Sequence, residues 1–313
     1  MLVTGARGFV GRRLTRRLAA RGARVTRLAN VPRGDANGLP HTSRATAPVV
    51  TASVTDLSTL AEIIEARKIS AVFHLAAMNA NRGTDISLYS LFETNIRGTY
   101  TLLEACHTAT TPPRVVVLSS REAEQCFDPH RKQALHPYAA SKAAAELVAA
   151  SVFETFGLKG VTLRTGSIYG GGDLNWNRLI PSAIRSLLAG KRPALSGSLQ
   201  ERRDYIHVDD VVAACLAAVE HADHLREENR TMRISTGVQT STLTMLQKIA
   251  AQTGQCDLVP EIVGRSNQET PDDRVPCLHE VAALGWGSKI SLDQGLVMTI
   301  DWYRRFLRRI NGV

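Results

Sequence analysis

The chain opens on Leu2-Val3-Thr4-Gly5-Ala6-Arg7-Gly8-Phe9-Val10-Gly11, a short apolar run followed by a G-x-x-G-x-x-G turn, and then an amphipathic stretch from Val10 to Arg21. Few folds accept that order, because a buried strand, a tight turn and an immediate helix start form the first half of a strand-helix-strand unit. Gly5 permits the tight turn, Gly8 lets backbone approach a pyrophosphate, and Gly11 lets helix and strand pack closely. The helix start then offers N–H groups and its positive dipole end to an anion. The segment predicts a dinucleotide cradle made by Gly5, Arg7, Gly8, Phe9 and Val10.

The same alternation continues downstream. Apolar, β-branched runs at Met1 to Thr4, Arg24 to Leu28, Val49 to Ser53, Ala71 to Leu75, Arg114 to Ser119 and Gly160 to Arg164 read as strands. Between them, Val10 to Arg21, Leu57 to Arg67, Leu88 to His107 and Tyr138 to Phe156 read as helices. Continuous apolar strands joined by helices require a parallel sheet covered on both faces, which is a Rossmann-like, doubly wound α/β fold. After Tyr169 the alternation fails. Helices at Leu179 to Ala189, Val208 to His221, Leu243 to Gln252 and Leu292 to Arg308 predict a smaller, mainly helical second region, with a short strand at Met232 to Ser235. The expected division is a dinucleotide-binding domain over 1–168 and a substrate region over 169–313, some of whose segments return to the first domain. The loops 30–48 and 264–277, rich in Pro, Gly, Asn, Asp and Arg, are candidate binding segments.

Composition excludes several other classes. With 313 residues, 44% hydrophobic and 21% charged, the chain buries a large core and is not a disordered tract. No apolar run of about 18 residues exists to span a bilayer, and no leader pattern is visible, so a cytoplasmic enzyme without a membrane partner is expected. The net charge of +9 is spread from Arg12 to Arg309 and aromatics are only 5%, which argues against a nucleic-acid partner and suits an anionic small substrate. The five cysteines form no C-x-x-C pair, so neither a disulfide framework nor a metal site is expected.

Tyr138-Ala139-Ala140-Ser141-Lys142 starts a helix after Pro137 and places Tyr138 and Lys142 one turn apart on one face. A tyrosine ordinarily titrates near pH 10, and a neighbouring ammonium favours its phenolate, which makes the pair a candidate base. Ser120 closes the run Arg114 to Ser119 at the carboxyl edge of the sheet, where open α/β folds bind ligands. At the end of the second strand, where an acid ordinarily holds the adenosine ribose, the chain has Ala29-Asn30. Asn30 then lines the ribose, and Arg33 or Arg44 either meets a 2′-phosphate or is simply solvated, so the cofactor is NAD or NADP.

These pieces, together with Val72-Phe73-His74-Leu75-Ala76-Ala77, Glu93-Thr94-Asn95-Ile96-Arg97-Gly98-Thr99, Ser119-Ser120 and Arg203-Asp204-Tyr205-Ile206-His207-Val208-Asp209-Asp210, resemble the extended short-chain dehydrogenase/reductase superfamily, in its nucleotide-sugar epimerase and dehydratase family. The segment Tyr169-Gly170-Gly171-Gly172-Asp173-Leu174-Asn175-Trp176-Asn177-Arg178-Leu179-Ile180-Pro181 is similar to the branch containing CDP-glucose 4,6-dehydratases. The resemblance implies that Tyr138 removes a hydroxyl proton while C4 gives hydride to a nicotinamide. Lys142 also holds the nicotinamide ribose, and Ser120 steadies the reacting oxygen. It places Leu75, Ala76, Ala77 and Asn95 around the cofactor. Arg203 falls to the nucleotide diphosphate, Glu269 to the nucleotide ribose, and Ser167, Asn175, Arg178 and Leu179 to the substrate. It further implies a homodimer through a four-helix interface formed by Leu88 to His107 and Tyr138 to Phe156.

Dehydratases of this family carry an Asp directly after the active-site Ser or Thr, followed by Glu or Lys. Here the two places hold Arg121 and Glu122, and a guanidinium does not readily cycle a proton. Arg121 is therefore expected at the substrate, and Glu122 either acts as a base or pairs with Arg121 or Arg131. The usual Tyr-Gly is Glu124-Gln125, and an asparagine that contacts phosphate appears as Ser167. The expected activity is C4 epimerisation of a nucleotide-diphosphate sugar with hydride returned to the opposite face. The alternatives are a 4,6-dehydratase, an NADPH-dependent 4-keto-sugar reductase and, from another class, a non-catalytic dinucleotide sensor.

Overall fold

The computed structural model describes residues 1–30, 48–79, 87–131, 134–195, 197–225, 230–263 and 279–311. In chain order the first elements are β1 (Leu2–Thr4), α1 (Phe9–Ala20), β2 (Thr26–Ala29), β3 (Val49–Thr51), α2 (Leu57–Ala66), β4 (Ala71–His74), α3 (Leu88–Phe92), a π-helical turn (Glu93–Arg97) and α4 (Gly98–His107). They continue with β5 (Arg114–Ser120), a 3-10 helix (Arg121–Cys126), α5 (Pro137–Thr155), β6 (Gly160–Thr165), β7 (Ser167–Tyr169), α6 (Leu179–Leu188), β8 (Ala194–Leu195) and β9 (Arg202–His207). The last are α7 (Val208–His221), β10 (Thr231–Ile234), β11 (Gln239–Ser241), α8 (Thr242–Thr253), β12 (Glu261–Ile262), α9 (His279–Ala282) and α10 (Leu292–Asn311).

Two compact units result. The first comprises Met1–Thr165, Val211–Ile234 and His279–Trp286, and the second Gly166–Asp210, Ser235–Leu278 and Gly287–Val313. The first unit carries a seven-stranded sheet in the order β10-β6-β5-β4-β1-β2-β3, and every pairing in it is parallel. This is the doubly wound, Rossmann-like fold. The strand order reverses between β1 and β4, so a crevice opens at their carboxyl ends.

Local chemistry sets the helix starts. Asp56 caps α2, its Oδ1 accepting from the Thr59 amide at 3.1 Å and its Oδ2 from the Thr59 hydroxyl at 2.7 Å. His136 caps α5 by accepting from the Tyr138 amide at 3.2 Å, with Pro137 at the first helical position. Leu2, Leu28, Val72, Val115 and Val117 of the sheet meet Leu60, Ile64, Leu102 and Leu103 of the helices in one apolar core.

The second unit packs α6, α8 and α10 through Ile184, Leu187, Met245, Ile249, Leu296, Ile300 and Tyr303. It also holds a three-stranded sheet, β11-β9-β7, and the pair β12-β8, so it is less purely helical than its sequence suggests. Arg203-Asp204-Tyr205-Ile206-His207 forms most of strand β9. Among the described residues, no helix is long and apolar enough to cross a membrane.

Candidate active site

The cradle is built by the absence of side chains. Gly5 sits at φ +62°, and a Cβ there would lie 2.6 Å from the Leu75 carbonyl oxygen and 2.7 Å from the Ala76 nitrogen. At Gly11 a Cβ would lie 2.2 Å from the Gly5 oxygen. The turn closes through Gly8 N–H donating to the Gly5 carbonyl at 2.9 Å, and no side chain caps the start of α1. Its first-turn amides therefore face the crevice as an anion site, which fits a dinucleotide pyrophosphate. Arg7 is exposed at the tip of the turn, Phe9 and Val10 are half-buried, and Asn30 is exposed just after β2.

A buried polar chain ties this turn to α5. Thr4 Oγ1 accepts from the amides of Leu75 and Ala76, both at 3.2 Å, and lies 2.9 Å from His74 Nδ1. The other ring nitrogen of His74 is 3.1 Å from Thr99 Oγ1, which donates to the Asn95 carbonyl at 2.7 Å. Because the Thr99 proton is already committed, His74 Nε2 must be the donor and Nδ1 the acceptor. A second ring proton has no acceptor at Thr4 unless that hydroxyl turns, and burial first, then the Lys142 charge, push the His74 pKa down to about 3.

That shift has a consequence for stability. An unfolded histidine binds its proton near pH 6.5 while His74 stays neutral in the fold, so stability falls as pH drops below about 6.5 towards 3. Urea unfolding at pH 7 and pH 5 should differ by about 2 kcal/mol from this group. His74→Gln should remove that part of the dependence, and an unchanged pH dependence in the variant would contradict the assignment.

The π-helical turn interrupts what the sequence presents as one helix, and such a bulge re-aims one side chain. Here that side chain is Asn95. Its Oδ1 accepts from the Met78 amide at 2.8 Å, and its Nδ2 donates to the Met78 carbonyl at 3.0 Å and to Ser141 Oγ at 2.9 Å. Ser141 in turn donates to the Tyr138 carbonyl at 2.8 Å. Both amide hydrogens of Asn95 are thus committed to protein partners, and the residue ties Met78, just after Leu75-Ala76-Ala77, to α5.

On α5, Tyr138 is half-buried and Lys142 buried, one turn apart. Lys142 Nζ donates to the Leu118 carbonyl at 2.9 Å, at the end of β5 next to Ser119-Ser120. Burial pushes the Lys142 ammonium down to about 8, and the Glu146 carboxylate works against that fall. Lysine therefore still carries its charge at neutral pH. Ser120 Oγ accepts from the Glu122 amide at 3.2 Å, which leaves the serine's own proton to donate to a substrate oxygen. Arg121 and Glu122 open the 3-10 helix, the first half-buried and the second exposed. Glu124 is buried in an ion pair with Arg233, Nε to Oε1 2.6 Å, so it anchors that helix to β10.

In the second unit, Ser167 on β7 pairs in register with Tyr205 on β9. Asp173 organises the loop that follows: it accepts from the Asn175 amide at 3.1 Å and from Arg178 Nη1 at 2.9 Å, and Arg178 leads into α6 at Leu179. Arg203, half-exposed on β9, pairs with Glu201. Asp204 is buried and receives the Thr236 amide and hydroxyl at 3.2 and 2.6 Å, together with the Ser235 hydroxyl. Arg33, Arg44 and Glu269 lie outside the described residues. Glu146, Arg164 and His74 belong to no functional motif of their own in the sequence. The available signal was a carboxylate exactly one turn beyond Lys142 and a lone imidazole closing an apolar strand.

Residues 1–234 match the family model described as the NAD dependent epimerase/dehydratase family. The UDP-glucose 4-epimerase of Mycolicibacterium smegmatis is 30% identical over 319 residues, covering 97% of this chain and 98% of that protein. The dTDP-glucose 4,6-dehydratase of the same organism is 27% identical over 322 residues, covering 97% and 93%. The solved UDP-glucose 4-epimerase of Thermus thermophilus in complex with NAD superimposes with a TM-score of 0.78 at 26% identity, covering 97% of this chain and 98% of that one. The glycine cradle, the parallel sheet and the Tyr-Lys helix therefore have one origin, and the chain is an enzyme that belongs to the NAD dependent epimerase/dehydratase family.

Proposed function

We propose that the enzyme epimerises C4 of a nucleotide-diphosphate sugar through a transient 4-keto intermediate. One observation supports the choice: Lys142, one turn from Tyr138, holds the strand end that carries Ser120, which suits proton transfer at one hydroxyl, while Arg121 stands directly after Ser120, where loss of water would need an acid. Tyr138 takes the C4 hydroxyl proton, Lys142 supplies the cation that favours the phenolate, and Ser120 donates to the same oxygen. A bound nicotinamide supplies the reversible acceptor for the carbon-bound hydrogen. Gly5, Gly8, the α1 amides, Asn30 and the Leu75-Ala76-Ala77 segment hold it, and the lack of an acid after β2 removes the repulsion that excludes a 2′-phosphate.

In this reading the first unit binds the dinucleotide and the second the nucleotide sugar, with Arg203 on its diphosphate and Ser167, Asn175, Arg178 and Leu179 near the substrate. The enzyme works in the cytoplasm as a homodimer. Support for the dimer comes from exposed apolar side chains on the α3–α4 run and α5, namely Leu88, Tyr89, Phe92, Tyr100 and Leu147.

The test is incubation with UDP-glucose, UDP-galactose and dTDP-glucose in D2O, with NAD or NADP added or withheld, followed by mass spectrometry and NMR. A new isomer of unchanged mass, free of solvent deuterium and without net cofactor turnover, is expected. Loss of water with deuterium uptake would make the enzyme a dehydratase and Glu122 its base, and stoichiometric reduction of the added cofactor with formation of a 4-keto sugar would make it a reductase running in reverse. Light scattering on the same sample should give twice the chain mass.

A further inference from the structure

Glu146 is a buried carboxylate that the proton-transfer scheme leaves without a role. It lies one turn beyond Lys142 on α5, and its side chain is only 3% exposed. One oxygen accepts from the Ser119 hydroxyl, and the other from Arg164 Nε at 2.9 Å and Nη2 at 2.7 Å. Arg164, on β6, also covers the Phe127 ring at 5.3 Å from its centroid. Every partner is in place, so the charge is stably held.

The partners converge on one stretch of backbone. Lys142 holds the Leu118 carbonyl, Thr165 donates to the Ser119 carbonyl at 3.3 Å, and Glu146 holds the Ser119 side chain. The end of β5 that presents Ser120 is thus fixed from α5 and β6 together. The carboxylate lies beside two cations, the Arg164 guanidinium that it pairs with and the Lys142 ammonium one turn back on α5. The charge matters to Lys142, its i−4 neighbour on the same helix face.

We propose that Glu146 is a positioning residue for the proton transfer, whose buried carboxylate keeps Lys142 an ammonium and locks the Ser119-Ser120 strand end against α5. This rests on the reading of Tyr138 and Lys142 as the proton-transfer pair. Losing one proton from the Tyr138–Lys142 pair leaves either phenolate plus ammonium or phenol plus amine. Glu146 stabilises the first arrangement and has no comparable effect on the second. The other titratable groups around the pair cannot replace it: His74 on β4 is neutral, Arg164 on β6 is itself cationic, and Cys126 on the 3-10 helix is raised by burial.

The phenolate can be read without a substrate. Of the six tyrosines, Tyr169, Tyr205 and Tyr303 are pushed up by burial, and all but Tyr138 are shared with the Tyr138→Phe variant. Subtracting the 295 nm titration of Tyr138→Phe from that of the holoprotein therefore isolates Tyr138. In the wild type it should ionise below free tyrosine. Glu146→Gln should move that ionisation up by about one pH unit, and Glu146→Asp should restore at least half of the shift. If Glu146→Gln does not fold, the double change Glu146→Gln with Arg164→Met leaves no guanidinium unpaired at β6 and should show an upward move of the same sign. A folded variant whose Tyr138 titration matches the wild type would overturn the role of Glu146. A wild type with no Tyr138 phenolate below free tyrosine would overturn the proton-transfer reading instead.

Discussion

Tyr138→Phe is expected to lower the turnover number for isomer formation by about 10²–10⁴-fold, the range a positioned acid–base group contributes. Fold and cofactor content should be unchanged. The structure separates these effects because the backbone around Tyr138 is held without its hydroxyl. His136 and Pro137 start the helix, the Tyr138 amide caps on His136, and its carbonyl accepts from Ser141, which Asn95 supports from the π-helical turn. Removing one oxygen atom disturbs none of those bonds, so a thermal midpoint close to the wild type should accompany the lost turnover. Lys142→Met should lose both, because Nζ also holds the end of β5. A Tyr138→Phe enzyme within tenfold of the wild type would show that the proton leaves by another group, and exposed Glu122, whose amide already reaches Ser120 Oγ, would be the first to replace.

The residues that carry this prediction were readable in the sequence because each stands at a break in a regular pattern. Gly5, Gly8 and Gly11 interrupt the first strand-helix unit, Tyr138 and Lys142 follow Pro137 at a helix start, and Ser120 ends an apolar strand. Several of the seven strands in the first unit's sheet were legible for a related reason: β1, β4 and β5, buried along most of their length, read as nearly continuous apolar runs. Asn95 shows where this fails. A π-helical turn adds one residue to a helix whose apolar spacing continues on either side, so the stretch from Leu88 to His107 reads as a single helix and Asn95 as one more polar position. Strand β9 hides differently. Its first residues, Arg202 and Arg203, are exposed while Asp204 to His207 are buried, and a four-residue buried run containing Asp and His satisfies neither the alternating nor the continuous apolar template. Glu146 is invisible because its significance depends on Ser119 and Arg164, from β5 and β6, meeting it on α5. Pairings across distant strands are set by topology, which spacing along one helix does not encode.

Gly11→Ala should cost the enzyme its cofactor as well as stability. In an ordinary helix interior this substitution is favourable by up to about 1 kcal/mol, because alanine loses less chain entropy than glycine. Here the added Cβ would lie 2.2 Å from the Gly5 carbonyl oxygen and 2.8 Å from the Ala6 Cα, both backbone atoms that have no rotamer to escape into. Restoring contact distance needs α1 to move by about 1 Å against a close-packed sheet, and overpacking of that kind costs about 1–3 kcal/mol. The clash therefore decides the sign. The loss extends to binding because the oxygen struck is the acceptor of the Gly8 amide, the bond that closes the turn, and the helix displaced is the one whose first amides face the phosphates. A misplacement of about 1 Å is enough to lower activity by roughly 10²-fold, and the variant should purify with little bound nicotinamide, measured as NAD(P) released on denaturation. Gly22→Ala is the matched control: at φ +78° it is strained by about 1–2 kcal/mol, yet nothing lies within 4 Å of its Cβ. It should lower the thermal midpoint and keep the cofactor. If the two variants lose cofactor equally, general destabilisation explains the loss and the close approach of α1 to β1 does not build the cradle. If Gly11→Ala alone loses it, the space left by a missing methyl group is what makes the phosphate site.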